Sequence, residues 1–152
     1  MAVEAPVSKR RKTNLKIYIL VCIILAVWLG YDGYFNEKFR QKHTVDGKAD
    51  GTLFFNQKSP AVLIAAAVLL AGYLSAIRRR RIVAEEEELV FGVKDRVPYD
   101  SIKQIDKTNF KLKGFFIVTY VGSDGRSVDR KLSDGAYDNL GAVLEVLITK
   151  IS

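Results

Sequence analysis

The chain has 152 residues, 49% of them hydrophobic, and its 24 Lys and Arg against 17 Asp and Glu give a net charge of +7. That apolar content excludes a disordered chain and does not fit an ordinary basic nucleic-acid binder. The lone cysteine, Cys22, excludes an intramolecular disulfide and a Cys-based metal site.

Residues 1–14 read as a basic cytoplasmic N-terminus, in which Lys9, Arg10, Arg11 and Lys12 outweigh Glu4. From Ile17 to Tyr31 no residue is charged and no polar stripe recurs at helical spacing. The nine Ile, Leu and Val in that run favour insertion by about 4 kcal/mol in all. Leu15 and a snorkelling Lys16 extend it at one end, and Trp28, Tyr31 and Tyr34 suit the interfacial belt at the other, so a transmembrane helix is expected over 15–34. A cleaved signal peptide also opens with a basic segment and a short apolar core. Here no small-x-small pair follows, the next residues being Trp28, Leu29, Gly30, Tyr31 and Asp32, and an uncleaved anchor is expected.

Residues 35–58 read as an external loop, with Gly47 and Gly51 as turn signals after Gly33 and a short amphipathic piece near Phe35–Gln41. His43 is the only histidine. Asp46 and Asp50 lie nearby, but no second His or Cys supports a metal site, and His43 reads as a solvated loop residue.

Residues 59–77 form the second uncharged run, with Ser59 expected to cap a transmembrane helix and Pro60 to sit in its first turn. Ala67, Ala71 and Ser75 recur every four residues, as do Gly72 and Ala76. Such small residues let helix backbones approach in lipid, against the first span or a second copy. Arg78, Arg79, Arg80 and Arg81 follow at once. With Lys9–Lys12 ahead of the first span they put both termini in the cytoplasm, as expected of a multi-pass protein of the cytoplasmic (inner) membrane. They also form a juxtamembrane patch, each arginine worth about 1 kcal/mol near an anionic leaflet.

Residues 82–152 carry a net charge of −2 and change pattern, giving an α+β expectation. Leu89–Val93, Phe115–Val121 and Arg126–Leu132 read as strands, with a turn at Ser123-Asp124-Gly125. Asp95–Pro98 marks a loop, and Ser101–Lys113 one more strand or a kinked pair. Leu140, Val143, Leu144, Leu147, Ile148 and Ile151 trace the apolar face of a helix starting near Ser133 or Asp134. Glu85–Glu88 reads as a solvated charge run, since successive strand residues alternate faces.

The stretch PYDSIKQIDKTNFKLKGFFIVTY, with its Tyr99-Asp100-Ser101-Ile102 strand entry, and the later RKLSDGAYDNLGAVLEVL together resemble the second half of bacterial pleckstrin-homology-like domains. The whole chain resembles bacterial two-span membrane proteins that carry such a domain after the second span. The resemblance implies a two-helix transmembrane hairpin followed by a small PH-like antiparallel sheet with a C-terminal capping helix. This segment offers about five strands where the family has seven, and it shows no phosphoinositide-binding motif in a first hairpin.

No catalytic, cofactor-binding or metal-ligating set emerges, and no nucleic-acid or small-molecule partner. The expectation is a non-enzymatic, membrane-anchored binding or assembly module, whose partners are the lipid bilayer and a protein or a second copy. The alternative is a module that senses anionic lipid through the arginine patch.

Overall fold

The structure, a computed structural model, describes residues 2–152, which form two compact units. One is Thr13–Ser75; the other joins Met1–Lys12 to Ala76–Ser152. From strand β1 (Val3–Pro6) the chain enters helix α1 (Lys9–Gly30), which ends in one π-helical turn, Tyr31–Phe35. The short helix α2 (Glu37–Lys42) and a two-stranded hairpin, β2 (Thr44–Val45) and β3 (Lys48–Ala49), lead into helix α3 (Gly51–Arg78). Two helices, Lys9–Phe35 and Gly51–Arg78, are long and apolar enough to cross a membrane.

The two long helices meet along a 3.5-residue seam. On α1 and the π turn, Leu15, Ile19, Cys22, Ala26, Leu29 and Gly33 are buried or half-buried at alternating steps of four and three. Leu53, Asn56, Pro60, Leu63, Ala67, Leu70 and Leu74 do the same on α3. A seam of that period winds two helices into a left-handed pair. Outward-facing side chains such as Ile24, Val27, Val68 and Leu69 stay exposed, giving the hairpin an apolar outer surface.

Near the closed end the backbones nearly touch. A Cβ on Gly33 would lie 2.8 Å from the Asn56 carbonyl oxygen. Proline at 60 has no N–H to satisfy that carbonyl in the usual helical pattern, and Gly33 packs over it instead. Tyr34 Oη donates to the Gln57 carbonyl (2.8 Å) and Gln57 Nε2 to the Gly33 carbonyl (3.2 Å).

The helix start expected at Ser59 is displaced. Helix α3 begins at Gly51, with the Leu53 N–H bonded to Asp50 Oδ1 at 2.8 Å, and Pro60 lies inside it. Asp50 supplies the cap that sequence reading gave to Ser59. The loop expected over 35–58 thus contains α2, a β-hairpin turning at Asp46-Gly47 and the first turns of α3.

The second unit begins with β1. The chain returns to it through β4 (Arg81–Ala84), β5 (Glu88–Phe91) and β6 (Asp95–Pro98), which form one antiparallel sheet in the order β1-β4-β5-β6. A second sheet holds β7 (Ile102–Asp106), β8 (Phe115–Val121) and β9 (Ser127–Ser133), with the short helix α4 (Phe110–Lys113) between β7 and β8. Helix α5 (Leu140–Ile151) closes the unit. Leu140, Val143, Leu144 and Leu147 form its buried stripe, against Ala5, Ile82, Leu89, Phe116, Val118 and Leu132. Each large side chain fully buried there contributes roughly 1.5–3 kcal/mol.

Three differences from the expected domain stand out. Residues 1–14 are not only a basic tail: β1 pairs with β4, Val3 opposite Ala84 and Pro6 opposite Arg81, and contributes the fully buried Ala5. Asp95–Pro98 is strand β6, because Val97 reaches the core opposite Leu89. The helix starts at Leu140, after an irregular segment that pairs with β1: Ser8 N–H donates to the Ala136 carbonyl and Asp138 N–H to the Pro6 carbonyl, both at 2.9 Å. Asp138 Oδ2 also accepts the Lys9 N–H at 2.9 Å, capping α1.

Two substitutions test this architecture in the full chain in detergent micelles. Ala5→Asp puts an unpaired charge into the core and is expected to abolish the cooperative thermal transition of the domain. Leu147→Ala is expected to cost about 2–5 kcal/mol while keeping the fold, read from the same transition. At the hairpin tip, Gly33→Leu forces a side chain onto the Asn56 carbonyl. Cysteines at 29 and 60, in a Cys22→Ser background, are then expected to crosslink more slowly than in the Gly33 protein.

Candidate functional site: a basic cleft at the start of strand β4

Arg78 is the last residue of α3 and Arg81 the first of β4, so the arginine run is the link between that helix and the sheet. Its members differ in their surroundings. Arg81 Nη1 pairs with Glu4 Oε1 at 3.2 Å, across the β1·β4 register. Further along the outer sheet face, Arg96 pairs with Glu85 (3.6 Å) and with Glu88. Arg78, Arg79 and Arg80 have no carboxylate partner among the described residues.

Two open clefts flank the run. One, of about 550 Å³, has Val83 and Val90 as its floor and Arg78–Arg81, Arg96, Glu4 and Glu85 around it. The other, of about 460 Å³, is lined by Arg79, Arg80, the Gly92–Lys94 turn, Phe91, Asp95, Arg130 and Tyr137. In this second cleft Arg130 is already engaged, 3.3 Å from Asp95 Oδ2 and 4.1 Å above the centre of the Phe91 ring. That leaves Arg79, Arg80 and Lys94 as cations without a carboxylate partner among the described residues. The arrangement suits an anion: several fixed positive charges meet in a solvent-open hollow and only one carboxylate lines it.

The Glu85–Glu88 run lies at the other end of β4. Glu85 and Glu88 both reach Arg96, so two of the four act together, contrary to their expected independence. Tyr99 donates to the Glu85 carbonyl at 2.7 Å, and burial, then the charges of Glu85 and Glu88, push its phenol above the usual range.

Of the small-residue stripe, Ala67 lies in the seam with α1, while Ala71, Gly72, Ser75 and Ala76 are exposed. A four-residue step turns through 400°, so the stripe drifts about 40° per repeat and leaves a seam that continues through Leu70 and Leu74. Ala76 lines the smaller basic cleft.

His43 is not free in solvent. Its Nδ1 lies 2.8 Å from Asp50 Oδ2, its ring centre is 4.5 Å from that of Phe39, and the Asp50 N–H donates to its carbonyl at 2.9 Å. The pair closes the β2–β3 hairpin. Asp50 is held below the usual carboxylate range, first by the Leu53 N–H and then by His43. No group of three or more His, Cys, Asp or Glu suited to a metal occurs among the described residues.

Val93, Lys94 and Tyr137 belong to the cleft and were not singled out from sequence. Gly92, at φ +69°, is the one signal that the chain turns there. No protein-family model matches the chain, and no curated protein or solved structure matches it.

Proposed function

We propose that the chain is a non-enzymatic, membrane-anchored binding or assembly module of the cytoplasmic membrane. In this reading α1 and α3 cross the bilayer as a hairpin, and a small PH-like domain stands at the cytoplasmic face. The observation that carries it is the β1·β4 pairing, since β1 precedes the first helix and β4 follows the second. A domain stitched from both flanks of a hairpin requires both flanks on one side of the membrane. The basic residues Lys9–Lys12 and Arg78–Arg81 on those flanks favour the cytoplasmic side.

Length supports the same reading. The 19 uncharged residues of Ser59–Ile77 cover about 28 Å, close to the roughly 30 Å of bilayer hydrocarbon. Seven strands in two antiparallel sheets, closed by one helix, support the PH-like reading, although the sequence segment 82–152 offered only about five. What the domain presents is a surface for a protein partner or a second copy. A second reading, recognition of anionic lipid, is favoured by Arg78–Arg80 standing without carboxylate partners among the described residues.

Reporter fusions at Gly47 and Ser152 are expected to signal from opposite sides of the membrane, with Ser152 cytoplasmic; a periplasmic Ser152 overturns the topology. Crosslinking the intact protein in its membrane, with mass spectrometry of the adducts, is expected to return a protein or a second copy. For the second reading, the full chain in vesicles is compared with Arg78→Gln/Arg79→Gln/Arg80→Gln. Loss of salt-sensitive enrichment of anionic lipid around the protein supports lipid recognition, and unchanged enrichment removes it.

A further inference from the structure

Outside the hairpin, two apolar side chains are far more exposed than the rest: Val93, at 77%, and Leu112, at 88%. They differ in what surrounds them. Leu112 lies between Lys111 and Lys113 in α4, remote in sequence from either long helix. Val93 is the tip of the β5–β6 turn and lines both basic clefts with Arg79 and Arg80, the two residues that directly follow α3. The turn is tied to that link by the backbone, since the Gly92 N–H donates to the Arg81 carbonyl at 2.8 Å.

We propose that the Gly92–Val93–Lys94 turn is an interfacial wedge: Val93 enters the headgroup layer of an anionic leaflet while Arg79, Arg80 and Lys94 bind lipid phosphates around it. The proposal rests on reading α1 and α3 as membrane spans. The uncharged run of α3 ends at Ile77, which puts Arg79 and Arg80 at headgroup level. Val93 lines the same cleft as those arginines, so it lies within reach of the same layer. Charge selects the occupant. Arg81, Arg96 and Arg130 are held by Glu4, Glu85 with Glu88, and Asp95, whereas Arg79, Arg80 and Lys94 have no carboxylate partner among the described residues and can meet phosphate. An exposed valine ringed by cations fits a surface whose polar layer is anionic and whose interior is apolar.

The test uses the full chain in a Cys22→Ser background, reconstituted in vesicles containing anionic phospholipid. Single cysteines replace Val93, Leu112, Glu87 or Val68 and carry an environment-sensitive fluorophore. The label at 93 is expected to emit to the blue of the label at 87 and to be quenched several-fold more by lipids spin-labelled near the headgroup. Equal emission and quenching at 93 and 87 overturn the wedge, and quenching at 112 without 93 assigns the contact to α4 and overturns it too. The label at 68 separates this failure from that of the spans. If 68 is quenched by deep spin labels and 93 is not, only the wedge falls; if 68 is not quenched, the membrane reading itself falls.

Vesicles of zwitterionic lipid alone are expected to weaken quenching at 93, and undiminished quenching there overturns the role of the cations. Inorganic phosphate, matched in ionic strength by chloride, is expected to change nothing. If phosphate releases the turn where chloride does not, the cleft is a site for free phosphate and the proposal falls.

Discussion

The pairing of β1 with β4 is the constraint on which the other features depend. Pro6 lies opposite Arg81, and everything between them, including both long helices, is an insertion within one sheet. Closing a flexible loop of that length costs about 4 kcal/mol of chain entropy. A helical hairpin removes most of that cost in advance, because its two outer ends are brought together by its own seam. The domain then has only short links to order, Val7–Ser8 on one side and Arg79–Arg80 on the other. The irregular segment before α5 reinforces the joint: its backbone bonds to Ser8 and Pro6, and Asp138 caps α1. Strand β1 is therefore held on both edges, and Ala5 is sealed in the core beneath α5.

The hairpin seam is packed differently along its length. Steps of three and four place Leu63, Leu70 and Leu74 inward, so apolar bulk fills much of the interface away from the tip. At the tip the backbones approach closely, with Gly33 against Asn56 and Gly30 against Pro60. This is also where the backbone is least regular, with a π turn on one helix and a proline inside the other. The two irregularities complement each other: the carbonyl that Pro60 leaves without a helical donor is covered by a residue with no side chain.

Much of this was legible in the residues. Two uncharged runs give two long helices, and the apolar face from Leu140 to Ile151 gives α5, because both signals are long and strongly patterned. Strand β1 was hidden by its neighbours. Val3, Ala5 and Val7 alternate with Glu4 and Pro6 as a half-buried strand should, but the cluster Lys9–Lys12 directly after them made the whole terminus read as a topology signal. Strand β6 was masked by Pro98, a residue that edge strands tolerate. The early start of α3 depended on Asp50, whose capping role is indistinguishable in sequence from that of a turn residue before glycine. The cleft was only half visible. Its arginines are conspicuous, while Val93, Lys94 and Tyr137 come together only through the register of β5 with β4 and the bridge between Val7 and Tyr137.

The charge pattern gains a direction from the fold. In sequence, four arginines and four glutamates separated by Ile82, Val83 and Ala84 cancel, and only the arginines, beside an apolar run, carry a reading of their own. In the structure those three residues are a buried strand, a rigid spacer of about 10 Å at 3.3 Å per residue. The cations sit at the end where α3 terminates, the carboxylates at the far end, and Arg96 holds Glu85 and Glu88 in place there. Beside an anionic leaflet such a vector is stable in one orientation, arginines toward the lipid and glutamates away from it. Reversing it would bring four carboxylates to a surface that repels them.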